Sequence, residues 1–136
     1  MIYSLEGRAA IITGASQGLG LAITRAYVAA GADVLICARD GQLLEQAQKE
    51  VAKLSKRGQK VEAQVADVSK RAEVDRLVDL ALQIFPHLHI LVNNAGIYGP
   101  KGMIENVNWD EWVRAIEINL FGSVLMCRAV LPHFKA

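Results

Sequence analysis

The 136-residue sequence holds only two cysteines, Cys37 and Cys127, far apart and in no C-x-x-C pattern. That argues against a disulfide framework and against a zinc site, and no metal ligands are assigned. Both cysteines stand among apolar neighbours and read as core thiols of a reducing compartment. No stretch carries charge of one sign: 15 basic and 14 acidic side chains are interleaved, for a formal net charge of +1. Without a basic stripe nothing points to a nucleic-acid surface. A charged ligand must then be held by local chemistry rather than by the field of the whole molecule. No uninterrupted apolar run approaches the length of a membrane span. The opening MIYSLEGRAAII carries Glu6 and Arg8 and lacks a signal-peptide layout. Internal repeats, low-complexity tracts and inter-domain linkers are also missing. What remains is the composition of a soluble, cytoplasmic, single-domain chain over 1–136, 52% hydrophobic and 21% charged, long enough to bury a core.

Strand and helix signals alternate along the chain. The apolar run Ala9 to Ile12 reads as a buried strand closed by Thr13-Gly14. A helix follows with Leu19, Ile23, Ala26, Tyr27 and Ala30 on one face, ended by Gly31. Asp33 to Ala38 is a second strand. Asp40 caps the next helix, whose stripe is Leu44, Ala47, Val51 and Leu54. In a third strand, Val61 to Ala66, the residues Val61, Ala63 and Val65 point inward. Val74, Leu77, Val78, Ala81 and Phe85 mark a third helix, stopped by Pro86. Ile90 to Val92 is the fourth strand, and 97–106 a loop. A last helical stretch begins near Asn108, with Trp109 and Trp112 as packing anchors and Leu120, Val124, Cys127 and Leu131 on one stripe. Apolar strands separated by helices predict a parallel sheet covered on both faces. Right-handed crossovers make it a Rossmann-like, doubly wound α/β unit with strand order 3-2-1-4.

Between the first strand and its helix lies Thr13-Gly14-Ala15-Ser16-Gln17-Gly18-Leu19-Gly20. Glycine lets the chain turn sharply and lets backbone approach a pyrophosphate. The free N–H groups and positive end of the following helix then face the anion. The last glycine allows close packing of helix and strand. A tight strand-to-helix turn is the plain alternative, and it weakens at this position in an alternating chain.

Thr13-Gly14-x-x-x-Gly18-x-Gly20, Asp67-Val68 after the third strand, Asn93-Asn94-Ala95-Gly96 after the fourth, and Asn119 together resemble the short-chain dehydrogenase/reductase family. The resemblance spans essentially the whole chain. It implies that Gly14, Ser16, Gln17, Gly18, Leu19 and Gly20 form the phosphate and ribose turn. It further implies that Asp67 and Val68 hold the adenine, and that Asn94, Ala95 and Gly96 line the ribose nearer the nicotinamide. Asn119 would be the catalytic asparagine that kinks its helix and holds a water in a proton relay. Each has a plainer reading: Asp67 as a turn or cap residue, Asn93 and Asn94 as partners of loose backbone groups, Asn119 as an exposed residue in a helix that disfavours it.

In relatives that prefer NAD, an acid at the end of the second strand meets the adenosine ribose; this chain has Ala38 there, followed by Arg39. A guanidinium can grip a 2′-phosphate through two hydrogen bonds, so NADP(H) is expected over NAD(H), with a solvated Arg39 as the alternative. The family's Tyr-x-x-x-Lys is not found: four residues after Tyr3, Tyr27 and Tyr98 stand Gly7, Gly31 and Gly102. The chain ends where a fifth strand is expected. It reads as the nucleotide-binding portion of a carbonyl/alcohol oxidoreductase, in general style close to 3-oxoacyl-carrier-protein reductases. It would be inactive alone, a homo-oligomer when complete, and self-associating or marginally stable through an open fourth-strand edge. A non-enzymatic nucleotide-binding or subunit-interaction module is the competing reading, and an adenosyl-sulfonium methyltransferase a third. His87 and His89 read as strand-flanking residues.

Overall fold

Four runs form one parallel sheet in the computed structural model: β1 (Ala9–Thr13), β2 (Asp33–Ala38), β3 (Val61–Val65) and β4 (Ile90–Val92). Their order is β3-β2-β1-β4, and the structure describes residues 3–136. This is the Rossmann-like, doubly wound α/β arrangement the sequence predicts. The central strands β1 and β2 are buried almost throughout, which is why they read as unbroken apolar runs.

Side chains alternate between the two faces, and each face has its own core. Ala10, Ile12, Val34 and Ile36 pack with residues of α1 (Gly18–Ala29) and α2 (Gly41–Ala52), among them Val28, Leu44, Ala47 and Val51. Ile11, Leu35 and Cys37 pack on the other side against α3 (Arg71–Ile84) and the helix after β4. A fully buried Ile11 or Leu35 contributes about 1.5–3 kcal/mol by leaving water. Asp40 caps α2 as expected, its Oδ1 accepting from the N–H groups of Gln42 and Leu43.

That last helix has three parts: α4 (Trp109–Ile116), a π turn (Glu117–Phe121) and α5 (Gly122–Lys135). Asn108 caps α4 by accepting from Glu111 N–H. The whole run Trp109–Lys135 is long and apolar enough to cross a membrane, with mean hydropathy 1.4 in its most apolar window. Glu117 and Arg128 interrupt it, which is why no unbroken apolar run of that length stands in the sequence. Here one side of the run is docked: Ile118, Gly122, Met126 and Val130 are buried.

Several expected faces are corrected. The buried line of α1 is Gly20, Thr24 and Val28, while Leu19 and Ala26 are exposed. Leu54 lies beyond the end of α2 and is exposed. Val65 is not buried as expected: at the end of the edge strand β3 it is exposed, with Gly41 at the start of α2 near its Cγ2. Trp109 and Trp112 are not packing anchors: both are exposed and stack on each other, centroids 5.2 Å apart and planes 7° from parallel. The stripe Leu120, Val124, Cys127 and Leu131 faces outward, so Cys127 is no core thiol. Its sulfur lies 3.4 Å from Asn93 Nδ2. Cys37 is buried as expected. His89 serves the sheet, its Nδ1 accepting from Ala9 N–H at 3.1 Å.

Candidate functional site

A cavity of about 820 Å³ opens where the strand order reverses, between the β1 and β2 ends and the segment after β4. Ligands of open α/β sheets bind in that position. The turn after β1 supplies Gly14, Ser16, Gln17, Gly18 and Leu19 to its wall. Gly14 and Gly18 have φ of +63° and +57°, the left-handed region that glycine adopts at no steric cost. Gln17 offers α1 no side-chain cap, and the first turn of α1 holds no acidic residue. The leading N–H groups of this helix are therefore left for an anion. That chemistry, on a turn with no side chain at Gly14 or Gly18, suits a phosphate-bearing dinucleotide.

Gly20 does not line the cavity. It is buried behind the wall, where a Cβ would overlap the Gly14 carbonyl oxygen and come within 2.5 Å of Asn94 Nδ2. Its place is that of the close-packing glycine.

The far wall is built by β4 and the residues just beyond it. Thr13, 1% exposed, was read from the sequence only as part of the motif. Its hydroxyl accepts from the N–H groups of both Asn94 and Ala95, each at 3.0 Å, and donates to Val92 O at 3.4 Å. Asn94 returns the contact, its Nδ2 donating to the carbonyls of Thr13 and Gly14. Asn94, Ala95 and Gly96 all line the cavity. Asn93 is exposed and turned towards Cys127.

At the end of β2, Ala38, Arg39 and Asp40 reach the cavity. After β3 come Asp67 and Val68. The Asp67 carboxylate is already engaged: Oδ1 accepts from Ser69 N–H at 3.0 Å and Ser69 Oγ at 2.6 Å, and Oδ2 pairs with Arg114 Nη2 at 2.7 Å. The plainer reading, a turn residue, is thus satisfied as well, and about one of the four lone-pair positions of a carboxylate stays open to a ligand. Arg114 was missed from the sequence, since nothing local links residues 67 and 114.

Asn119 stands in the π turn. It is exposed, yet both ends of its amide are fixed: Oδ1 accepts from Ile97 N–H at 2.8 Å and Nδ2 donates to Ile97 O at 2.7 Å. Ile97 and Tyr98, not expected at the site from the sequence, line the cavity on that side. π turns within α-helices recur at functional sites. Among the described residues no group of three or more His, Cys, Asp or Glu side chains could hold a metal.

Three groups among the described residues are shifted from their ordinary values; the hydrogen bond to Asp67 holds the Arg114 guanidinium higher still than usual. Burial pushes the Cys37 thiol up to about 12, against a smaller lowering by the Gly14 backbone, so it is inert. Burial also works against the charge of Asp67, but the hydrogen bonds from Ser69 and Arg114 outweigh it and bring the carboxyl down to about 2. A depressed folded-state value means stability that is full above the unfolded value and is lost as pH falls towards the folded one. With Arg114 35% exposed, solvent screening leaves a contribution on the order of 1 kcal/mol. Asp67→Asn is expected to remove that part of the acid slope between pH 3.8 and about 2, read by urea unfolding across that window; an unchanged slope would refute the assignment.

Comparison with known proteins agrees with this architecture. The family model for short chain dehydrogenase matches residues 8–136. The 1-deoxy-11-beta-hydroxypentalenate dehydrogenase of Streptomyces exfoliatus is 36% identical over 95% of this chain and 46% of its own. Crystallographic 3-ketoacyl-(acyl-carrier-protein) reductase from Brucella melitensis, complexed with NADH, superimposes with a TM-score of 0.88 at 39% identity, covering 97% of this chain and 52% of that one. L-Sorbose reductase from Gluconobacter frateurii, complexed with NADPH and L-sorbose, gives a TM-score of 0.90 at 30% identity, covering 99% and 50%. The chain spans about half the length of the curated relatives it matches.

Proposed function

The chain belongs to the short-chain dehydrogenase family of oxidoreductases, and from that premise we propose that residues 1–136 are a single nucleotide-binding domain, the NADP(H)-binding portion of an enzyme acting on a carbonyl or alcohol. The observation that carries the cofactor choice is the charge at the end of β2. Arg39 reaches the cavity beside Ala38, while the neighbouring acid, Asp40, has Oδ1 committed to two N–H groups of its own helix. A 2′-phosphate placed there meets a guanidinium and Ser16 rather than a free carboxylate.

When bound, the nicotinamide cofactor supplies or takes up the hydride. The residues of this chain bind and orient. Gly14 to Leu19 and the start of α1 take the phosphates. Asp67 accepts from the adenine amino group with its open lone pair, and Val68 lies beside the ring. Asn94 and Ala95, held by Thr13, and Gly96 beside them face the second ribose. Asn119 has its amide spent on Ile97. Its main-chain carbonyl, which takes a long 3.3 Å bond from Ser123 Oγ, is then the group to hold the relay water.

The proton donor itself would have to come from outside this sequence, since no tyrosine in it is followed four residues later by lysine. We therefore expect the 136-residue chain alone to bind NADP(H) and not to turn over; clear activity with NADPH and a panel of carbonyls would refute that. Substrates such as 3-oxoacyl thioesters belong to the complete enzyme, expected to be a cytoplasmic homo-oligomer, a compartment in keeping with two free thiols.

The cofactor reading is tested by Arg39→Ala. NADPH affinity is expected to fall about 10- to 100-fold, the value of a charged hydrogen-bond pair, while NADH affinity stays within about twofold. Equal loss for both, by calorimetry, would remove the 2′-phosphate assignment. A second reading, a non-enzymatic subunit-interaction module, is favoured by the outward apolar stripe of α5 and predicts co-purification with a longer relative.

A further inference from the structure

Arg114 lies in no motif, yet it joins two parts of the site. Its guanidinium contacts Asp67 Oδ2 at 2.7 Å, Ser69 Oγ at 2.6 Å and Glu117 Oε2 at 3.5 Å. Asp67 and Ser69 belong to the segment after β3; Glu117 is the first residue of the π turn. A second contact ties the same segment to the far end of that turn: Gly122 is packed so closely that a Cβ there would stand 2.6 Å from Val68 Cγ2. The π turn is thus clamped on either side to the segment that carries Asp67 and Val68. Between the clamps sits Asn119, bonded at both ends of its amide to Ile97.

A π turn closes its hydrogen bonds over one residue more than the flanking α-helix and occurs as a single bulged turn, so contacts at its two ends define where the extra residue sits. A planar guanidinium with several donors in fixed geometry supplies such fixation, which lysine does not. We propose that Arg114 is a positioning residue: by holding Asp67 and Ser69 against α4 just ahead of the π turn, it sets the register in which Asn119 clamps Ile97. It also offsets the charge of Asp67 beside the cavity, so that an anionic dinucleotide meets an acceptor rather than a bare negative charge. This second role rests on the nucleotide-binding reading above; the first does not.

Two measurements on the full protein separate these roles. Amide exchange of Ile97, followed by NMR without ligand, reads the clamp. In Arg114→Gln it is expected to quicken about 10-fold or more, the loss of one held hydrogen bond, while Leu91 in β4 keeps its protection. Unchanged exchange at Ile97, or equal loss at Ile97 and Leu91, would overturn the positioning role. Calorimetry with NADPH reads the charge. Affinity is expected to drop about 10-fold in Arg114→Gln and to recover in Arg114→Lys, whose Ile97 exchange stays fast because the fork is gone. Failure of lysine to restore affinity would overturn the electrostatic role. Wild-type protein that binds no NADPH would refute the nucleotide reading and leave the exchange result standing. Should Arg114→Gln not fold, the same loss at Ile97 is expected in Arg114→Lys, and its absence would sink the proposal.

Discussion

Gly20→Ala is expected to cost the protein at least about 3 kcal/mol and to abolish dinucleotide binding. In an exposed helix the change would gain roughly 1 kcal/mol, because alanine is the better helix former. Here the added methyl overlaps the Gly14 carbonyl oxygen and presses on Asn94 Nδ2, the two groups that hold the turn against the segment after β4. Neither is the free end of a flexible side chain, so the overlap decides the sign. Gly41→Ala is the control. Its methyl would meet only Val65 Cγ2 at 3.2 Å, and Val65 is exposed enough to give way, so stability should change by less than about 1 kcal/mol. Thermal unfolding and calorimetry with NADPH on both variants check this. Comparable stabilities would mean that the Gly14–Gly20 approach is not required.

The second large effect falls on Thr13. Thr13→Val keeps the shape and removes the hydroxyl, leaving the N–H groups of Asn94 and Ala95 without their acceptor. An unpaired buried polar group costs about 1–3 kcal/mol, so a loss of about 2–4 kcal/mol is expected. Thr13→Ser keeps the hydroxyl and gives up one buried methyl, worth roughly 1 kcal/mol. Denaturant unfolding should therefore rank serine well above valine. Valine equal to or better than serine would show that the methyl, not the hydroxyl, is what this position needs.

The sheet and its order were legible because β1, β2 and the stripes of α2 and α3 each have one physical answer: an unbroken apolar run, or apolar residues on one side only. Where both sides of an element are apolar, pattern alone does not choose. Along the π turn and α5 the line Leu120, Val124, Cys127 and Leu131 reads as well as Gly122, Met126 and Val130, and only the second is buried. The π turn adds to this, since its extra residue shifts the helical phase between Trp109 and the end of the chain. At the β3 edge, Val65 follows a strand period with nothing to cover it. Most residues expected at the site do meet at one cavity, and the glycine spacing made that visible. Arg114 and Ile97 were not legible, for their partners lie 47 and 22 residues away, and no local period encodes such pairs.

The stacked indoles of Trp109 and Trp112 make the molecule easy to watch. They are its only two tryptophans, and they sit side by side at the start of α4, 5.2 Å apart and nearly parallel. All indole emission therefore originates from one solvent-facing corner, while the sheet and its two cores are dark. The coupled pair should also give an exciton couplet in circular dichroism, lost when either ring is replaced by leucine. Light from this corner reports on the entry to α4, one helical turn from Arg114, and leaves the rest of the fold silent.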